Sequence, residues 1–147
     1  MSEIGVFRDG YYNPVNILPR AQSTTISQAS GVLAATAMVG GQDTFVTTSG
    51  ATALTTDSAA NILSTLYAAL VNNSGSSPAP RKWSTMSWLL NIINTNASTL
   101  TLTGGAGVTI SGTATIATNT SRNYLVTITN SAGSGAITLM NVGGGTN

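Results

Sequence analysis

The stretch TLTLTGGAGVTISGTATIATNTSRNYLVTIT, residues 99–129, constrains the fold more than any other part of the chain. Apolar and polar residues alternate along it, which is the period of a strand with one buried face. The repeated β-branching suits a pleated surface and disfavours a helix. Ten of its residues are threonine and one, Arg122, is charged. Lysine and glutamate usually occupy the solvent face of such a strand. Here hydroxyls occupy it, giving a surface that is polar without charge.

The bias extends over the whole chain. Charged residues make up 6% of the 147, against about 25% in ordinary globular domains. The length suits one domain with a sizeable core. The five basic residues form no cluster, and only Arg81 and Lys82 are adjacent. Nucleic-acid binding needs phosphate neutralisation by Lys and Arg, so it is not expected. The sequence has neither cysteine nor histidine, which removes the usual zinc and iron–sulfur ligands and disulfide bonding. No metal or cofactor is expected. The opening residues MSEIGVFRDG carry an acid, Glu3, with no long apolar run behind it, unlike a signal peptide. The longest apolar-leaning run, 31–41, falls short of a membrane span. The expectation is a soluble protein made in a cytoplasm, with no membrane partner.

Two units stand out. Residues 1–21 show neither strand nor helix periodicity and concentrate Phe7, Arg8, Tyr11 and Tyr12 between turn signals. They read as an extended N-terminal arm that docks on something, because frayed termini are seldom rich in aromatics. Residues 22–147 read as a single β-rich domain. Its first part, 22–54, gives short alternating pieces broken by glycine, with a short helix as the alternative around Ala34, Ala35 and Ala37.

Residues 57–72 predict the one substantial helix. Ala59, Ile62, Leu63, Leu66, Tyr67 and Leu70 fall on one face. Thr55 or Thr56 is the expected cap, and Asp57 complements the positive end of the dipole. The opposite face has no ion pairs, so the helix is expected to be covered on more than one side, at a subunit interface or between sheet and arm.

After a loop at 74–80 come five strand-like runs: 83–94, 99–103, 108–118, 123–129 and 135–142. The first is nearly apolar on both faces, with Met86, Trp88, Leu90 and Ile92 on one and Leu89 and Ile93 on the other, as in a central strand. Gly112 breaks the third, and Tyr124, Val126 and Ile128 point inward in the fourth. Turns every eight to twelve residues or so predict a mainly β fold, an antiparallel β-sandwich or barrel with one packed helix.

Catalytic chemistry has little to work with. Glu3, Asp9, Asp43 and Asp57 are the carboxylates, and none follows residue 57. A triad needs histidine. A Ser-Lys dyad would need Lys82, which sits beside Pro80 and Arg81 in a loop-like composition, where the desolvation that would lower its pKa is not expected. The glycine-rich GGAGVTISG lacks the Gly-Lys-Ser/Thr end of a phosphate loop and joins two strand patterns. It reads as a hairpin turn with positive φ at one or more of Gly104, Gly105 and Gly107. The expectation is that the protein is not an enzyme. Trp83 and Trp88 are five apart in one run and so face opposite ways. Trp88 reads as core. Trp83 reads either as an interface anchor or as a strand-end aromatic sealing the core.

The order DTFVTTSGATALTTDSAANILSTL, then SWLLNIINTNASTLTLTGGAGVTISGTATIATNTSRNYLVTIT, then AITLMNVGG resembles the capsid cement, or head decoration, proteins of tailed bacteriophages over roughly residues 40–143. The resemblance implies a structural virion protein, made in the host bacterial cytoplasm and seated as a homotrimer on the outer capsid surface. There it would stabilise the head by bridging major capsid proteins. Phe7, Arg8, Tyr11, Tyr12, Trp83 and Arg122 are the candidate contacts to capsid or neighbouring subunits, although the arm lies outside the matched stretch. The alternative is a phage fibre or adhesin-type module that binds a receptor or glycan.

Overall fold

The computed structural model describes residues 22–26, 30–39, 43–48, 53–74 and 86–146. Twelve elements follow in order: β1 (Gln22–Ile26), β2 (Ser30–Leu33), α1 (Ala35–Met38), β3 (Asp43–Thr48), β4 (Ala53–Thr56), α2 (Ala59–Ser74), β5 (Ser87–Asn94), β6 (Leu100–Thr103), β7 (Val108–Ser111), β8 (Thr115–Ile116), β9 (Thr120–Asn130) and β10 (Ala136–Thr146). The strands form a six-stranded sheet, β1-β3-β5-β9-β10-β7, and a four-stranded sheet, β2-β4-β6-β8.

Alternation in the sequence becomes the two faces of each sheet. Trp88, Leu90 and Ile92 of β5, Tyr124, Val126 and Ile128 of β9, and Ile137 and Leu139 of β10 point inward from the larger sheet. Leu54 of β4, Leu100 and Leu102 of β6 and Ile116 of β8 meet them from the smaller one. Both helices add to the same core, α1 through Ala37 and Met38 and α2 through Ala59, Ile62 and Leu66. Burying each Leu, Ile or Val contributes about 1.5–3 kcal/mol. The result is a mainly β, two-layer fold with one substantial packed helix, as the alternation and the helical stripe predict.

The pairing differs from the antiparallel expectation, and no closed barrel forms. β8 on β6, and β9 on both β5 and β10, are antiparallel. β1, β3 and β5 run parallel in one sheet, β2, β4 and β6 run parallel in the other, and β7 is parallel to β10. The cause is the path of the chain, which crosses to the other sheet after each strand from β1 to β8 instead of turning back beside it. The first six strands therefore wind three rungs of a coil. Gln22 pairs with Thr44, 22 positions on, and Thr44 with Leu90, 46 positions on. In the second sheet Ser30 pairs with Ala53 and Ala53 with Thr101. The antiparallel strands β9 and β10 extend the larger sheet beyond the third rung.

The 104–107 segment shows why sequence spacing misreads this. Gly107 has the positive φ a tight turn needs, at 75°. Yet the turn carries the chain from β6 in one sheet to β7 in the other, so it is not a hairpin. Gly105 packs against the start of α2, where a Cβ would stand 2.7 Å from the Asp57 carbonyl oxygen.

Candidate functional site

The main polar contacts of the described residues begin where β4 enters α2. Thr56 is buried, donates its hydroxyl to the Asp57 carbonyl at 3.1 Å and accepts the Gly105 N–H at 2.8 Å. It is therefore a tie between rungs and not the helix cap. Ser58 caps α2: its carbonyl accepts the first helical bond, from Ile62, and its Oγ accepts the Asn61 N–H at 3.2 Å.

Asp57 stands just before that cap. Its Oδ1 accepts the Ser58 N–H at 2.8 Å and the Asn61 amide at 2.7 Å, and its Oδ2 accepts the N–H of Ala35, the first residue of α1, at 3.2 Å. One carboxylate thus serves the starts of both helices. The Asn61 amide, helped by the Ser58 and Ala35 N–H groups, holds the carboxyl below its ordinary value, and burial opposes them. Asp57 has a structural task on three hydrogen bonds.

Asn94 forms a second polar node that the sequence did not reveal. It is fully buried at the end of β5. Its amide donates to the carbonyls of Ser98 (2.8 Å), Ile116 (3.0 Å) and Ala117 (3.2 Å), and its Oδ1 accepts the Asn96 N–H at 3.0 Å. The side chain closes the β5–β6 connection and holds the edge strand β8 beneath it. The signal available was an asparagine at an inward position of the alternation, since a buried amide needs partners.

Arg122 lies within β9. It is half-buried, and its Nε donates to the Thr115 carbonyl of β8 at 3.4 Å, linking the two sheets. The neighbouring Tyr124 is buried and donates to the Thr113 carbonyl at 3.1 Å. Burial raises its hydroxyl pKa, and the Arg122 charge partly offsets this. Trp88 is core as expected, with its indole N–H on the Met38 carbonyl at 2.7 Å. Tyr67, assigned by its spacing to the packed face of α2, is 42% exposed instead.

The outer face of the larger sheet is built from three neighbouring strands. Register sets Ser87, Thr127 and Thr138 in one row, Leu89, Leu125 and Met140 in the next, and Asn91 and Asn123 in a third. Leu89 and Met140 are 41% and 44% exposed, so the middle row is an apolar stripe open to solvent. The Asn91 amide donates to Asn123 Oδ1, and Asn91 Oδ1 is buried without a partner among the described residues. No charged side chain stands on the outward positions of β5, β9 or β10. Asp43, on β3, occupies the register position beside Leu89. The smaller sheet's outer face is a lattice of exposed Thr55, Thr101, Thr103 and Thr115 with Val32 and Ala53.

Phe7, Arg8, Tyr11, Tyr12 and Trp83 lie outside the described residues, as does the whole expected arm at 1–21. Among the described residues no group of three or more Asp, Glu, His or Cys side chains comes together to hold a metal ion. No described helix is long and apolar enough to cross a membrane. Comparison with protein-family models, with curated proteins and with solved structures gives no match to this chain.

Proposed function

We propose that this chain is a structural virion protein, a cement or decoration protein that binds the outer surface of a phage head and stabilises it by bridging major capsid proteins. The observation that carries the reading is the pair of broad, charge-poor outer sheet faces on a frame in which Asp57, Asn94 and Arg122 are engaged inside the chain. Seating a protein between neighbours favours rigid faces that lose little hydration free energy when covered, and threonine and asparagine lose far less than Lys or Glu. The arm residues Phe7, Arg8, Tyr11 and Tyr12, with Trp83, supply the aromatic and arginine anchors in this reading. Electron microscopy and co-sedimentation of shells with the full chain, and with a chain lacking residues 1–20, test it. Regular outer-surface positions filled by the full chain and vacated by the truncated one are expected. Absence of the full chain from purified shells refutes the cement reading, and unchanged occupancy after truncation refutes the role of the arm.

One observation favours a second reading, a fibre or adhesin-type module. The parallel rungs β1-β3-β5 and β2-β4-β6 repeat one winding, as elongated solenoids do. Binding of the isolated protein to a glycan array would favour it over the cement reading.

A further inference from the structure

We propose that residues 1–21 close the open end of the coil, lying across the free edges of β1 and β2 of their own chain. Among the described strands, β1 is paired on one side only, by β3, and β2 on one side only, by β4. Successive backbone groups of a strand point to opposite sides, so every second residue of β1 and β2 presents its N–H and C=O to that end. Neither QSTTI nor SGVL contains a lysine or proline that would deter another segment from covering it. Leu33, inward on the edge strand β2, is nevertheless fully buried.

The opposite end of the coil shows how this chain closes an edge. There the smaller sheet finishes in β8, two residues long. Tyr124 donates to the Thr113 carbonyl, Arg122 to that of Thr115 and Asn94 to that of Ile116. The larger sheet finishes in β7, four residues long and stopped before Gly112, whose φ is 87°. A coil of stacked rungs needs a cap of different composition at each end.

Continuity, length and composition assign the cap at the β1 end to residues 1–21. Residue 21 directly precedes Gln22, the first residue of β1, so the segment starts at the open edge. One rung takes 22 positions, from Gln22 to Thr44, and the segment is about as long. Extended, 21 residues reach about 70 Å, far more than the roughly 10 Å between packed sheets, so both edges are within range. Glu3, Arg8, Asp9 and Arg20 are four of the nine charges of the chain, and capping segments carry the charge that keeps a coil end soluble. Ile4, Val6, Phe7, Ile17 and Leu18 supply the apolar contact that the same segment needs toward the coil. Pro14 and Pro19 cannot donate to a ladder, which suits an outermost layer and not a further rung.

The cap is independent of the cement reading, because it is tested on purified protein without shells. In the full chain, benzoylphenylalanine placed at Val32, which is 61% exposed on β2, should cross-link to residues 1–21 on illumination. In an equal mixture of isotope-labelled and unlabelled chains, each link should join residues of one isotope. Amide hydrogen exchange of the full chain should show protection on successive residues of 22–26 and 30–33, without the every-second-residue pattern of a bare edge. Removing residues 1–20 should speed exchange at those amides by about 10-fold or more and leave 124–128, in the middle of β9, within about threefold. If the truncated chain fails to fold, the measurements on the full chain decide. Absence of a link to residues 1–21, links between isotopes, alternating protection in the full chain, or unchanged exchange in a folded truncated chain would each overturn the proposal.

Discussion

Replacing Asn94 by Leu should be among the costlier single changes in this chain. The side chain is fully buried, and leucine keeps its branching and heavy-atom count, though it is bulkier, while removing the four hydrogen bonds described above. The bond to the Ile116 carbonyl is itself buried, so that oxygen is left without a partner, which costs about 1–3 kcal/mol. The Ser98 and Ala117 carbonyls and the Asn96 N–H are only partly shielded, and water replaces much of what they lose, at about 0.5 kcal/mol each. The added apolar surface of leucine recovers about 1 kcal/mol. The net expectation is a loss of about 2–3 kcal/mol, or a fall in Tm of roughly 5–10 °C for a chain of this length. Urea denaturation followed by circular dichroism measures it. Asn94→Asp gives an internal control, because its carboxylate would face three carbonyls at neutral pH, and only its protonated form can donate to one of them. That variant should gain stability relative to the parent as pH falls from 7 to about 4. An Asn94→Leu protein within 0.5 kcal/mol of the parent, that is, inside the usual range for a surface change, would refute the assignment of Asn94 as the anchor of β8.

Asp57 predicts a particular acid response. Its folded pKa lies below the ordinary 3.8, so its contribution is fully present above that value and is lost as pH drops through the lower folded value. Thermal melts of the parent and Asp57→Asn should differ most near neutral pH and converge below about pH 4. Trp88→Phe strands the Met38 carbonyl and should cost about 1–3 kcal/mol, read from urea midpoints at unchanged m-value. Asn91→Val should destabilise less in the background of Asn123→Val than alone, since the pair is removed together; a double-mutant cycle gives the coupling.

The residues that announced themselves in the sequence are those whose role is set by local period. Trp88, Leu90 and Ile92 on one side of β5 with Leu89 on the other, the break at Gly112 between β7 and β8, and the inward Tyr124, Val126 and Ile128 can all be read from alternation alone. The stripe of α2 gave Ala59, Ile62 and Leu66 for the same reason. Pairing direction stayed hidden because alternation records which face a residue takes and nothing about the strand beside it. Gly104 to Gly107 turn the chain equally well into a hairpin or across to the opposite sheet. The Thr56, Asp57 and Gly105 contacts join rungs far apart in sequence, so only the winding brings them together. Arg122 illustrates the same limit: its Thr115 partner is seven positions away, but the sheet-to-sheet crossing between them decides that they meet.

The unequal rungs also make the chain a natural carrier. The step from β3 to β5 spans about twice the sequence of the step from β1 to β3, yet strand pairing continues through both in the same parallel sense. The extra length, which includes α2, is absorbed between β4 and β5. Doubling such an excursion adds only about 0.6 kcal/mol of closure entropy. A passenger peptide or a small foreign domain grafted into this connection would therefore be borne by a frame that already accommodates a long detour there.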